Sequence, residues 1–181
     1  MNTQRQTPLY WLNVIEILGI IVLLFITFTL QFLLKELPCP LCLLQRIGFI
    51  ITSLGLLFNL RYGIKPSHYV LTLLGALFTS FIALRQVALH VVPGVGGYGD
   101  SILGLHLYTW SFIISMMVII YTTIILGFQS QYTEAISKTR STMFYVLFVL
   151  LLMITLGNFV SVTFECGVFG TCPDNPVSYE L

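Results

Sequence analysis

Apolar residues in this chain fall in runs too long for strands and too continuous for the one-sided stripe of a soluble amphipathic helix. Five such runs are read from Leu9 to Leu34, Leu43 to Leu60, His68 to Val91, Leu105 to Phe128 and Met143 to Thr163. A helix of about 20 residues crosses the ~30 Å hydrocarbon core of a bilayer, so each run is long enough to span it. The breaks between them, Pro38 to Cys42, Arg61 to Ser67, Pro93 to Gly104 and Gln129 to Thr142, carry turn residues or charges. The pattern predicts an all-α fold, an integral membrane helical bundle with a four-helix core and a fifth transmembrane helix. Residues 1–181 form a single membrane domain in this reading, ending in a tail over 164–181. The first run is longer than a signal-peptide core and has no small-residue cleavage site before Pro38, so it is expected to be retained.

Composition agrees with the pattern and narrows the partners. Hydrophobic residues make up 57% of the chain and charged residues 8%, and the mean hydropathy is +0.95, far outside the range of soluble domains. A net charge of +1 without a basic cluster leaves no footprint for nucleic acid and no polybasic lipid anchor.

The few cations orient the bundle. With a cytoplasmic N-terminus, the inner segments hold Arg5, Arg61, Lys65, Lys138 and Arg140. The outer connections then hold Lys35, with Arg46 and Arg85 near outer helix ends. This distribution satisfies the positive-inside rule. An odd number of spans places the tail outside, where its charges, Glu165, Asp174 and Glu180, are all acidic.

In this orientation Cys39, Cys42, Cys166 and Cys172 all face the non-cytoplasmic side, where disulfides form and persist. Cys39-Pro40-Leu41-Cys42 sits where the second span begins. Unpaired N–H groups and the helix dipole there favour a thiolate on Cys42. Arg46, four residues on, shares that helix face and can stabilise negative charge on the sulfur or on an adjacent acceptor. An arginine this close to a helix end can also simply reach for lipid head groups, but the cysteine one turn away favours a functional role. The second pair, Cys166 and Cys172, closes a loop of seven residues counting both cysteines. A bridge of that length stabilises by only about 2 kcal/mol in the chain-entropy model. Gly167 and Gly170 between the sulfurs suit a pair that bends, opens and closes. Where the third span reaches the same side stand Arg85, Gln86 and His90, of which Arg85 is the stronger functional candidate. His106 and Trp110 fit an interfacial belt. Glu16, near the cytoplasmic end of the first span, has no role in this reading.

Cys39-Pro-Leu-Cys42 followed by Gln45-Arg46, together with Arg85-Gln86 and Leu103-Gly104-Leu105 before Trp110, resembles the DsbB family of bacterial disulfide-forming quinone reductases. The likeness covers about the first four spans. It implies an inner-membrane protein-disulfide oxidoreductase that reoxidises a periplasmic thioredoxin-fold dithiol oxidase of the DsbA type and passes electrons to ubiquinone or menaquinone. The resemblance implies that Cys42 is the thiolate that meets the quinone, Cys39 its partner and Arg46 the cation beside the quinone oxygens. Gln45, Arg85 and His90 complete the candidate cofactor-binding set, and no metal site is expected. Common members have four spans and a second cysteine pair between the third and fourth. Here Pro93 to Gly104 holds no cysteine, and Cys166 and Cys172 are expected to take that place, folding back from the fifth span.

Three other readings use the same residues. A vitamin K epoxide reductase-like enzyme also joins a helical bundle to Cys-x-x-Cys and a quinone, but its motif lies in a late span. Four cysteines holding zinc normally show tighter paired spacing. A membrane scaffold whose cysteines only staple the outer surface would not respond to quinone.

Overall fold

The computed structural model describes residues 8–33, 38–91, 96–99, 101–128 and 142–167. Five helices dominate: α1 Pro8–Leu33, α2 Pro40–Tyr62, α3 Pro66–His90, α4 Leu107–Leu126 and α5 Thr142–Cys166. All five are long and apolar enough to span a membrane, so the fold is the all-α bundle expected. Proline opens α2 and α3, each after an extended residue, Cys39 and Lys65. At a first helical position the missing N–H costs nothing and the fixed φ is already helical.

Without a hydrophobic force between helices inside a bilayer, close packing must come from small residues and polar contacts. The α2–α3 contact is built this way. A side chain on Gly75 would bring its Cβ to 2.5 Å from the Thr52 amide nitrogen, and one on Gly55 to 2.6 Å from the His68 carbonyl. Thr72 and Thr79 face the same seam, fully buried, their hydroxyls turned back to His68 O and Gly75 O. On α1 the buried side is Val14, Ile17, Ile21 and Leu24, while Ile15, Leu18, Val22 and Phe25 are exposed, as a lipid-facing surface requires. The end of the bundle away from the cysteines is closed by amides. Asn13 donates to the Tyr69 hydroxyl at 2.8 Å, and Asn59 donates to Asn13 Oδ1 at 3.1 Å, tying α1, α2 and α3 together. Glu16 is buried one turn further in, where Thr122 of α4 donates to its Oε1 at 2.7 Å. It therefore links α1 to α4.

Two features depart from the expected organisation. The connection before α4 contains a hairpin, β1 Ser101–Ile102 and β2 Leu105–His106, paired antiparallel with Ser101 opposite His106. Leu103 and Gly104 turn it with φ of 54° and 80°, the left-handed pair that a two-residue turn needs. Secondly, α5 runs on to Cys166, three residues beyond the expected end at Thr163. Glu165 and Cys166 are accordingly not part of a loose tail but buried residues of the last helical turn. Hydropathy falls at that point, yet the helix continues because its polar residues face the bundle and not lipid. The tail cysteine Cys172 lies outside the described residues, as do the charges that carry most of the orientation argument: Arg5, Lys35, Lys138, Arg140, Asp174 and Glu180.

Candidate functional site

The end of α1, the start of α2, the end of α3, the start of α4 and the end of α5 meet at one end of the bundle, and the polar residues gather there. Cys39 caps α2. Its backbone is extended (φ −68°, ψ 159°) and its sulfur accepts the N–H of Cys42 at 3.2 Å, as a serine or threonine oxygen does at other helix starts. The two cysteines are free, with their sulfurs 2.6 Å apart. Pro40 at the first helical position fixes the turn that brings them together. The hydrogen bond with Cys42, reinforced by burial, holds the Cys39 thiol well above the ordinary cysteine range.

Gln86, on the last turns of α3, lies over this pair fully buried. Its Nε2 donates to the Cys39 sulfur at 3.1 Å and to the Cys42 sulfur at 3.4 Å, and its Oε1 accepts from Gln45 Nε2 at 2.7 Å. Gln45 thereby fixes the amide so that its NH2 end faces sulfur. This arrangement favours negative charge on the sulfurs without a formal cation in contact.

Arg46 is buried one turn beyond Cys42. It donates to Gln31 Oε1 at 2.8 Å, to Asn158 Oδ1 at 3.2 Å and to Thr27 O at 3.3 Å. A guanidinium has five N–H donors, and these partners account for three of them. Gln31 also donates to Ser161 at 2.7 Å. Residues 158, 161 and 165 of α5 fall on one helical face, so the fifth helix docks through Asn158, Ser161 and Glu165. Glu165 and Cys42 are both within electrostatic reach of Arg46. Cys166 is buried next to Glu165 and is disulfide-bonded.

A pocket opens beside these groups. Leu23, Leu24 and Leu30 of α1, Phe49 of α2 and Leu107 of α4 form its apolar wall. Cys42, Gln45, Arg46, Gln31 and Tyr108 present its polar atoms. Tyr108 stacks with His90 and with His106, each at 5.3 Å between ring centroids. His90 is itself held by Gln86 O, 2.8 Å from its Nδ1. His106 Nδ1 lies 3.0 Å from Gly99 O, closing the approach to the hairpin, and Trp110 donates to Ile102 O at 3.0 Å, securing the hairpin against α4.

Of the candidates read from sequence, Cys42, Gln45 and Arg46 line the pocket, Cys39 lies behind Cys42, and His90 approaches through Tyr108. Arg85 is not brought to the pocket: it stands exposed on the outer side of α3 while its neighbour Gln86 takes the inner position. Gln31, Tyr108, Asn158 and Glu165 are the site residues that the sequence reading did not single out, and Gln86 was named there beside Arg85 without a role of its own. Their common signal is a polar side chain inside an apolar span.

The family model for disulfide bond formation protein DsbB matches residues 10–98, which hold α1, α2, α3 and the Cys39-Pro-Leu-Cys42 motif. No curated protein and no solved structure matches the chain. Over this segment, just under half of the chain, the protein is similar to the DsbB family of membrane disulfide oxidoreductases, and its five apolar helices make it a multi-pass membrane protein, with α4 and α5 lying beyond the family match.

Proposed function

We propose that this chain is a thiol:quinone oxidoreductase that reoxidises a periplasmic DsbA-like dithiol oxidase and passes the electrons to ubiquinone or menaquinone. The observation that carries the reading is the pocket in which Cys42, Gln45 and Arg46 meet a wall of leucine and phenylalanine. An apolar slot with a few convergent polar groups fits a quinone ring and its isoprenoid chain. Arg46 and Gln45 would supply the donors for a bound quinone's oxygens, and the leucines of α1 would line its ring and tail. The quinone supplies an acceptor for two electrons and two protons.

The residues of the chain do the rest. A partner dithiol exchanges with the disulfide between Cys166 and Cys172; the partner is oxidised and the tail pair becomes a dithiol. That dithiol exchanges in turn with a Cys39–Cys42 disulfide, each exchange forming one S–S bond and breaking another through a mixed disulfide. Reduced Cys39 and Cys42 then give up two protons and two electrons and close their disulfide again. Gln86 and Arg46 stabilise the Cys42 thiolate during this step, and the end of α2 that carries Cys39 faces the periplasm together with the tail.

The test is quinone reduction, followed by absorbance, with purified protein and a reduced DsbA-type dithiol. Cys42→Ser is expected to abolish turnover, and Cys166→Ser/Cys172→Ser to reduce it to background. Arg46→Lys, which keeps the charge but loses the planar fork, is expected to raise the quinone concentration required while leaving thiol exchange intact. Turnover that survives the tail substitutions would remove that pair from the pathway, and no turnover with either quinone would sink the reading.

A further inference from the structure

A buried cation inside a membrane bundle needs an anion within reach, because solvent cannot supply one. The hydrogen-bond partners of Arg46, Gln31, Asn158 and Thr27 O, are all neutral. Among the described residues only two carry carboxyl groups, Glu16 and Glu165. Glu16 accepts from Thr122 between α1 and α4 and, although its Oε2 is also unpartnered, it lies one turn from Asn13 at the end of the bundle away from the cysteines. Glu165 is 1% exposed, and its Oε2 is buried with no hydrogen-bond partner among the described residues. It shares the α5 face of Asn158, whose Oδ1 accepts from Arg46 at 3.2 Å, and this places it within electrostatic reach of Arg46 and of Cys42.

We infer that Glu165 is the resident counter-ion of Arg46, so that the guanidinium is shared between a carboxylate on α5 and the sulfur of Cys42. Glu165 thereby acts as a positioning residue that limits how much of the Arg46 charge reaches the thiolate and the pocket. This rests on the reading of Cys42 as the reactive thiol. The consequence is physical: the cluster holds one cation and, when Cys42 ionises, two anions. In a low-dielectric setting the carboxylate competes with the thiolate for the same guanidinium. A fifth helix is then more than added packing, since it sets the charge balance at the Cys-x-x-Cys motif.

The experiment is the rate of Cys42 alkylation by iodoacetamide at pH 7, in full-length protein with Cys39, Cys166 and Cys172 replaced by serine, for Glu165, Glu165→Gln and Glu165→Asp. Alkylation follows the thiolate fraction, so removing the competing carboxylate with an isosteric amide is expected to accelerate it about three- to tenfold. Glu165→Asp keeps the charge and is expected to stay within about twofold of the parent. A role confined to packing moves neither rate upward. An unchanged or slower rate in Glu165→Gln overturns the inference; if that variant does not fold, a change beyond about fivefold in Glu165→Asp does so instead. The assay uses no quinone, so a failure of the quinone reading in wild type leaves its outcome separate.

Discussion

A neutral amide, Gln86, occupies the place over the Cys39 and Cys42 sulfurs where a cation could be expected. A hydrogen bond to a charged acceptor contributes about 1.5–3 kcal/mol, which is about tenfold or more in the population of the charged form. Gln86→Leu keeps the volume and loses the donors, so Cys42 alkylation at neutral pH is expected to slow about tenfold; an unchanged rate would mean that the amide only fills space. Sequence reading placed its weight on the adjacent Arg85, because a charge inside an apolar run is the louder signal. One residue is about 100° around a helix, and the choice between these two depends on which face of α3 is inward. That face was written in the small residues. Thr72, Gly75, Ala76, Thr79, Ala83 and Gln86 recur at spacings of three and four, all of them buried. Cys42 and Arg46 were easier to find, since their shared face follows from a four-residue separation alone.

At the scale of elements, continuous hydropathy identified all five helices, and it failed only where a helix end or a short hairpin depends on contacts that a run of apolar residues cannot encode. The last turn of α5 is such a case: Glu165 looks like a tail residue until the helix is followed to Cys166 and the carboxyl is found buried. The hairpin is another, resting on two left-handed residues, Leu103 and Gly104. The α2–α3 seam offers the sharpest test of element packing. Gly75→Val puts a branched side chain where a single Cβ already meets the Thr52 backbone. Overpacking of this kind costs about 1–3 kcal/mol. The thermal unfolding midpoint in detergent is expected to fall, and Gly19→Val, at a position with nothing within 4 Å of the added Cβ, is the control expected to change little. Equal midpoints for the two variants would contradict the close approach of α2 and α3.

For the whole molecule, the decisive quantity is which side of the membrane the polar end faces. Among the described residues, Cys39, Cys42, Cys166, Gln86, Arg46 and Glu165 all lie at the end where α5 finishes. Arg61 and Lys65 lie at the α2–α3 connection, which is the other end. The orientation we propose from the positive-inside rule has that connection cytoplasmic and the cysteine end periplasmic. A fusion of alkaline phosphatase after Leu181 is therefore expected to be active, and a membrane-impermeant maleimide is expected to label the reduced cysteines in intact spheroplasts. Inactive fusion with protected cysteines would place the dithiols in the cytoplasm, where reducing buffers keep thiols reduced and a disulfide-forming role has no purpose. In the proposed orientation the fifth helix has two consequences: with four spans a cysteine pair at the C-terminus would end on the cytoplasmic side, and Arg46 would lack the carboxylate that α5 brings to it. Deleting α5 after Phe128 should therefore do more than remove two cysteines. It should leave Arg46 in a bilayer without its counter-ion, and the yield of folded protein is expected to fall further than in Cys166→Ser/Cys172→Ser.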